Sequence, residues 1–214
     1  MAGLLSEKIN KNFIVFEGID GSGKGAQIEL LKGHFESKKR KDVIFTFEHT
    51  RKGFWSEKIE DIVGGRIKNV PAEQLQLLFI LDRKEHIEKV ISPALKKGQM
   101  VFCDRFFLSN LAYGSLDGSL HWKTLWNHHK ELIGDEMVMP AKTIFFDLEP
   151  DVALSRIEKR NNGKTIFESL NKLRAVRENY LSIGAHFDGF EVVDASGSPE
   201  QVFEIVKDRL KEYL

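Results

Sequence analysis

An apolar run of strand character, Phe13-Ile14-Val15-Phe16-Glu17, meets the turn Gly18-Ile19-Asp20-Gly21-Ser22-Gly23-Lys24. Gly18-x-x-x-x-Gly23-Lys24 is the phosphate-loop spacing. Each part has a physical reason. Gly18, Gly21 and Gly23 let the backbone turn tightly around a polyphosphate, so that successive N–H groups point inward. A helical pattern follows, with Ile28, Leu31 and Phe35 on one face. Its first N–H groups are unpaired and its positive dipole end favours an anion. Lys24 adds a full positive charge near the β- and γ-phosphates. Ser or Thr usually comes next and binds Mg²⁺ through its hydroxyl. Here Gly25 and Ala26 stand in that place.

The rest of the chain alternates strand and helix. Val43–Phe47 reads as a second strand, followed by the polar connection Glu48-His49-Thr50-Arg51-Lys52-Gly53 and a helix over Trp55–Val63 that stops at Gly64-Gly65. Pro71, at a first-turn position, opens a long helical stretch. Along it lie Leu75, Leu78, Phe79, Asp82, Arg83 and His86, with Phe79, Asp82, Arg83 and His86 on one face. On the residues alone, the charged set reads as a surface salt bridge beside a helix able to line a polar pocket. Met100–Cys103 is a buried strand ending in Asp104-Arg105. A carboxylate there either holds Mg²⁺ or caps the next helix, where Phe106, Ser109, Ala112 and Tyr113 have helical spacing. Leu116-Asp117-Gly118-Ser119 is a turn signal. Trp122, Trp126, His121, His128 and His129 read as aromatic packing with surface histidines, since their spacing makes no metal site. Thr143–Leu148 is a further core strand, Asp151–Lys159 a helix, Phe167–Ala185 another, Phe190–Asp194 the last strand, and a helix from Pro199 closes the chain.

This β-α repetition argues for one doubly wound parallel α/β sheet of about five strands, in a single domain over residues 1–214. Ligands in such sheets sit beyond the carboxyl ends of the strands, the edge on which Lys24, Arg51 and Asp104 fall. The 32 basic and 32 acidic residues leave no net charge, so nothing pulls the chain as a whole toward nucleic acid or an anionic membrane. Lys38-Lys39-Arg40-Lys41 is read as a solvated helix end whose cations suit the dipole. The single cysteine, Cys103, excludes an internal disulfide, fits a reducing compartment and lies in an apolar run. No apolar stretch approaches the roughly 20 residues of a membrane span, and Met1–Lys11 has no signal-peptide core. The cytoplasm is the expected location.

Taken together, the segments resemble the thymidylate kinase family of nucleoside monophosphate kinases over about Phe13–Val206. The matching pieces are Phe16–Lys24, Leu78-Phe79-x-x-Asp82-Arg83-x-x-His86 and Asp104-Arg105-Phe106-x-x-Ser109-x-x-Ala112-Tyr113, with weaker matches at Phe146-Asp147, Leu154-x-Arg156-Ile157 and Val176-Arg177-x-x-Tyr180. The resemblance implies transfer of the ATP γ-phosphoryl group to a deoxynucleoside monophosphate, dTMP first, with Mg²⁺ and in a homodimer. It implies that Lys24 and the loop Gly18, Gly21, Ser22, Gly23, Gly25 and Ala26 hold ATP. Asp20 would contact the sugar 3′-hydroxyl, Arg51 the acceptor phosphate and Phe79 the base, while Arg83 and Arg105 would fix the acceptor nucleotide. Asp104 would assist Mg²⁺. Arg160 or Lys164 would belong to a basic flap near residues 156–168 that closes on the transferring group.

The chain departs from the family pattern at four places. Gly25-Ala26 replaces the hydroxyl pair, leaving Ser22 as a nearby hydroxyl. The segment Phe47-Glu48-His49-Thr50-Arg51 lacks the family's proline. Gly114 stands for a glutamine that helps read the pyrimidine, and Thr165-Ile166-Phe167-Glu168 lacks the flap arginine. These departures keep a second reading open: a kinase-fold nucleotide-binding protein with another monophosphate acceptor, or with weak or no catalysis. A GTPase is not indicated, because Asp61-Ile62-Val63-Gly64 has no Asn-Lys-x-Asp companion.

Overall fold

A computed structural model describes residues 9–116, 120–160 and 169–214, with only the backbone of Arg160. The five strands are β1 (Ile9–Glu17), β2 (Val43–Phe47), β3 (Met100–Asp104), β4 (Met139–Asp147) and β5 (Phe190–Asp194). They form one sheet in the order β2-β3-β1-β4-β5, and every pairing is parallel. The expected doubly wound α/β architecture is therefore the observed one. Position in the sheet explains sequence character. Residues Phe13 to Glu17 are buried on both faces because β1 lies between β3 and β4. The edge strands β2 and β5 keep half-exposed faces.

Helices cover both sides: α1 (Lys24–Ser37), α2 (Phe54–Val63), α3 (Ala72–His86), α4 (Ser92–Lys96), α5 (Phe107–Gly114), α6 (Trp122–Ile133), α7 (Pro150–Arg160), α8 (Leu170–Gly184) and α9 (Pro199–Arg209). Aromatic rings join neighbouring segments of the sheet. Phe13 meets Phe106 edge-on at 5.1 Å, and Phe16 meets Phe146 at 5.7 Å.

Boundaries differ from the sequence reading where pairing or a cap overrides hydropathy. β1 starts at Ile9, because Ile9 and Asn10 pair with Met139 and Pro140 before a register shift. Polar Asn10, Lys11 and Asn12 hide that extension, and β4 correspondingly starts at Met139. Pro71 has ψ 140°, so it precedes α3 as its N-cap and lies outside the first turn. The helical path continues past His86 through a π-helical turn, Ile87–Ile91, which buries Ile87 and Ile91. α8 starts at Leu170, where the Ser169 hydroxyl accepts the Lys172 N–H at 3.3 Å. The Leu116–Ser119 turn lies mostly outside the described residues, as do the Asn161–Glu168 part of the flap and residues 1–8 of the N-terminus.

The topology also fixes where a ligand binds. The chain leaves β1 toward β2 and leaves the adjacent β3 toward β4, in opposite directions. The crevice beyond the carboxyl ends of β1 and β3 is the switch point of the sheet. Phe16 pairs with Asp104 there, so the glycine loop after β1 and the Asp104-Arg105 pair lie side by side.

Candidate active site

The loop after β1 has the conformation its glycines demand. Gly21 has φ 81°, and a Cβ on it would lie 2.4 Å from the Ala153 carbonyl oxygen of α7. Gly23 has φ 92° and forms the N-cap of α1 without a side-chain cap, leaving the first helical N–H groups to an anion. Lys24 is buried at the start of that helix, with Nζ 3.6 Å from Asp104 Oδ1. Burial and the nearby Arg105 cation push its pKa down, against the pull of Asp104, Asp20 and Glu17.

Two buried oxygens here accept or donate no hydrogen bond among the described residues: Asp104 Oδ1 and Ser22 Oγ. A buried carboxylate oxygen and a buried hydroxyl beside a helix N-terminus without a side-chain cap fit a phosphate and its cation. The Asp104 carboxylate suits Mg²⁺, directly or through water. Gly25 contributes no ligand, although a Cβ built there would meet nothing within 4 Å.

Arg105 links this loop to the neighbouring cavity. It has φ 67°, a left-handed conformation that costs a non-glycine residue roughly 1–2 kcal/mol. Its N–H donates to the Phe16 carbonyl at 2.8 Å. Its guanidinium donates to Asp20 Oδ1 at 2.7 Å, Ser109 Oγ at 3.1 Å and Tyr180 Oη at 3.2 Å. Burial pushes the Asp20 carboxyl up, but the Arg105 and Lys24 cations prevail and hold it below its ordinary value. The Tyr113 hydroxyl donates to the other Asp20 oxygen at 3.2 Å, and burial pushes the pKa of that phenol well up.

Beneath Arg105, Glu17 is fully buried. One of its oxygens accepts the N–H groups of Phe106 (2.9 Å) and Ser109 (3.1 Å), and the other accepts the hydroxyls of Ser109 (2.6 Å) and Tyr180 (3.0 Å). Glu17 thus caps α5 from the neighbouring strand. Burial raises its pKa despite Arg105 and these donors.

The Asp82-Arg83-His86 set is not a surface salt bridge. All three side chains are buried, and each is tied to the segment after β2. Arg83 Nε and Nη2 each donate to Glu48 at 2.7 Å, and His86 Nδ1 lies 3.0 Å from the same carboxylate. Asp82 accepts the Thr50 N–H at 2.8 Å and its hydroxyl at 2.5 Å. His129 is not at the surface either. It is wholly buried, with Nδ1 2.8 Å from the Leu125 carbonyl and Nε2 2.6 Å from Arg83 Nη1. Burial and the Arg83 cation push its pKa well down, so the neutral ring donates from Nδ1 and accepts at Nε2.

A cavity of about 310 Å³ opens between these groups, lined by Asp20, Glu48, His49, Val63, Gln76, Phe79, Arg83, Arg105, Phe106, Ser109, Asn110 and Tyr113. Of the residues singled out from the sequence, it gathers Asp20, Phe79, Arg83 and Arg105. Lys24 and Asp104 do not line it, but they pair with each other beside Asp20 of the loop and Arg105, which do and which are bonded to one another. Arg51 is exposed, lies over the Phe47 ring at 5.3 Å and does not line the cavity. Lys164 and the Arg160 side chain lie outside the described residues. Arg156, at the base of that segment, comes within 3.7 Å of a Cβ built on Gly23.

The thymidylate kinase family model matches residues 16–206, nearly the whole described chain. The chain belongs to the thymidylate kinase family. It is 36% identical over 206 residues to a probable thymidylate kinase of Pyrococcus abyssi, covering 94% of this chain and 97% of that relative. A probable thymidylate kinase of Methanosarcina acetivorans is 35% identical over 210 residues, covering 94% and 96%. The thymidylate kinase of Coprothermobacter proteolyticus is 34% identical over 201 residues, covering 93% and 98%.

Within this thymidylate kinase family site, sequence reasoning gave no role to Glu17, Glu48, Gln76, Asn110, His129 or Tyr180. Glu17 had a signal, as a carboxylate closing an otherwise apolar central strand. Tyr180 lies in a matched segment. His129 had none, because only the packing of α6 on α3 shows that it meets Arg83.

Proposed function

We propose that this protein transfers the γ-phosphoryl group of ATP to dTMP, giving dTDP and ADP. The observation that supports it most is the Arg105–Asp20 pair, which joins a phosphate-binding loop to a cavity of nucleotide dimensions. In this reading, Lys24 and the loop amides hold the ATP phosphates. Asp20 faces the acceptor sugar, Phe79 stacks on the base, and Arg105, with its positive charge, holds the acceptor phosphate. Arg83 shapes the cavity wall rather than reaching far into it, since its nitrogens are already bonded to Glu48 and His129.

The acceptor phosphate is an anion at neutral pH, so its oxygen attacks without a general base. The protein's part is alignment and neutralisation of charge. Asp104 would hold Mg²⁺, which would supply positive charge to the transferring phosphoryl group. Arg160 or Lys164 adds charge from the flap, a contribution of up to about 10³-fold in rate. Arg51 reaches the acceptor phosphate only by leaving the Phe47 ring. The proposal includes a homodimer, measurable by sedimentation, and a cytoplasmic location, with which the single buried thiol of Cys103 agrees.

One observation favours a slower catalyst of the same fold. Gly25 leaves open space where a metal-binding hydroxyl would stand. ATP- and Mg²⁺-dependent ADP release is to be measured with dTMP, dUMP, dCMP, dGMP, dAMP and UMP. Turnover confined to dTMP and dUMP, abolished by Lys24→Ala, is expected. No turnover with any acceptor, in protein that still binds ATP, would give the site to nucleotide binding alone.

A further inference from the structure

Arg105, the cation that takes the acceptor phosphate in the proposed reaction, is held from two sides. Its Nη2 donates to Asp20, and its Nη1 donates to the hydroxyls of Ser109 at 3.1 Å and Tyr180 at 3.2 Å. Those two hydroxyls lie 2.7 Å apart, and both donate to one oxygen of Glu17, Oε2. The other Glu17 oxygen is taken by the N–H groups of Phe106 and Ser109. Glu17 therefore draws the hydroxyl hydrogens toward itself and leaves the oxygens of Ser109 and Tyr180 with lone pairs for Nη1. Ser109 belongs to α5, the helix that follows Arg105 directly. Tyr180 comes from α8 and adds a fixed point on a different element.

Tyr180 is wholly buried. Its ring packs against Phe145 of β4 at 4.9 Å and Tyr113 of α5 at 6.2 Å. Its neighbour Asn179 donates to the Ala112 carbonyl at 2.9 Å, which ties α8 to α5. Burial and the Glu17 charge push the phenol pKa well up, so the hydroxyl keeps its hydrogen. Filling this space needs only the ring. A buried hydroxyl is costly unless it is bonded, and the bonds of this one run to Glu17, Ser109 and Arg105.

We infer that Tyr180 is a positioning residue whose hydroxyl, oriented by Glu17, fixes the Arg105 guanidinium at the wall of the cavity where the acceptor phosphate binds. Tyr180 itself does not line the cavity, so its effect on the substrate passes through Arg105. Without that hydroxyl, Nη1 keeps Ser109 alone, and the cation must be ordered when the phosphate arrives. Fixing it beforehand removes that cost from binding and from alignment of the transfer. The inference rests on the acceptor-phosphate reading of Arg105 and adds what aims it.

The test is calorimetric binding of dTMP, and of thymidine as the ligand without the phosphate. The proteins are the parent, Tyr180→Phe, Glu17→Gln, Arg105→Ala and the double variant Tyr180→Phe/Arg105→Ala, each fold checked by circular dichroism. Tyr180→Phe keeps the ring and removes one hydrogen bond to a charged group. It is expected to weaken dTMP binding about ten-fold and to leave thymidine within about two-fold. Glu17→Gln turns an NH₂ group toward the two hydroxyls, competes with Nη1 for their lone pairs and gives the same pattern. In the Arg105→Ala background, Tyr180→Phe is expected to change dTMP binding by less than about two-fold, because the group it acts through is gone. A tyrosine that only supports the fold would weaken both ligands in both backgrounds. Unchanged dTMP affinity in whichever of Tyr180→Phe and Glu17→Gln folds, or equal losses for dTMP and thymidine, would overturn the inference. If the parent binds dTMP no more tightly than thymidine, the acceptor-phosphate reading of Arg105 fails and takes the inference with it, an outcome that the parent alone reveals.

Discussion

Arg105 Nη2 lies 2.7 Å from Asp20 Oδ1, a contact between the residue after β3 and the middle of the phosphate loop. The two segments meet only because β1 and β3 are neighbours with Phe16 opposite Asp104. In the proposed reaction this pair would set the spacing between donor and acceptor phosphates. Glu17 holds the same geometry from below by capping α5.

Asp20→Asn removes the negative charge and keeps the shape. Asp20 is held ionised by Arg105 and Lys24 against burial, so the lost interaction is a charged one, worth about 1.5–3 kcal/mol. That corresponds to roughly 10- to 100-fold in kcat/KM for the monophosphate. The KM for ATP is expected to stay within about two-fold, since the loop amides and Lys24 are untouched. Equal losses for both substrates would take Asp20 out of the acceptor side.

Glu48→Gln tests the buried wall of the cavity. Arg83 and Glu48 have side chains 3% and 4% exposed, so neither can turn to water. Removing the carboxylate leaves the Arg83 cation beside the neutral His129 ring, at a cost of about 3–5 kcal/mol. For a chain of this length that is a fall in Tm of roughly 6–20 °C. A melting temperature within about 2 °C of the parent would show that Arg83 finds another partner.

The sequence showed what local chemistry dictates and missed what packing decides. The loop was legible because Gly18, Gly21, Gly23 and Lys24 have backbone and charge requirements that few other residues meet. The β-α order was legible because β3 and the carboxyl-terminal halves of β1 and β4 are buried and read as apolar runs. The Asp82-Arg83-His86 set was misread as a surface bridge because its partners, Glu48 and Thr50, lie more than 30 residues away on another element. The hydrogen bond that joins Asn110 of α5 to Gln76 of α3 was invisible for the same reason.

Gly25→Ser restores a hydroxyl at the first turn of α1. The new Cβ meets nothing within 4 Å, so no rearrangement is needed. Replacing a helical glycine also gains up to about 0.5 kcal/mol. The expected result is a several-fold lower Mg²⁺ concentration for half-maximal rate, with an unchanged or slightly higher Tm. An unchanged Mg²⁺ dependence would mean that Asp104 already supplies all the protein's contribution to the cation.

His129 makes stability depend on pH with a definite sign. Its folded pKa is pushed well below the ordinary histidine value by burial and by Arg83. Below about pH 6.5 the unfolded chain therefore binds a proton that the folded protein refuses. The stability is complete above that pH and falls as the pH drops below it, by up to about 1.4 kcal/mol per pH unit from this one group. That is about 3–6 °C in Tm per unit. His129→Gln keeps an acceptor for Arg83 and cannot titrate. Its Tm at pH 7.5 is expected to lie below that of the parent, because the ring stacked on Trp126 at 5.7 Å is lost. Between pH 6.5 and 5.5, however, it should fall less steeply than the parent. Parallel slopes in the two proteins would place the acid sensitivity elsewhere and mean that His129 accepts a proton without breaking its contact with Arg83.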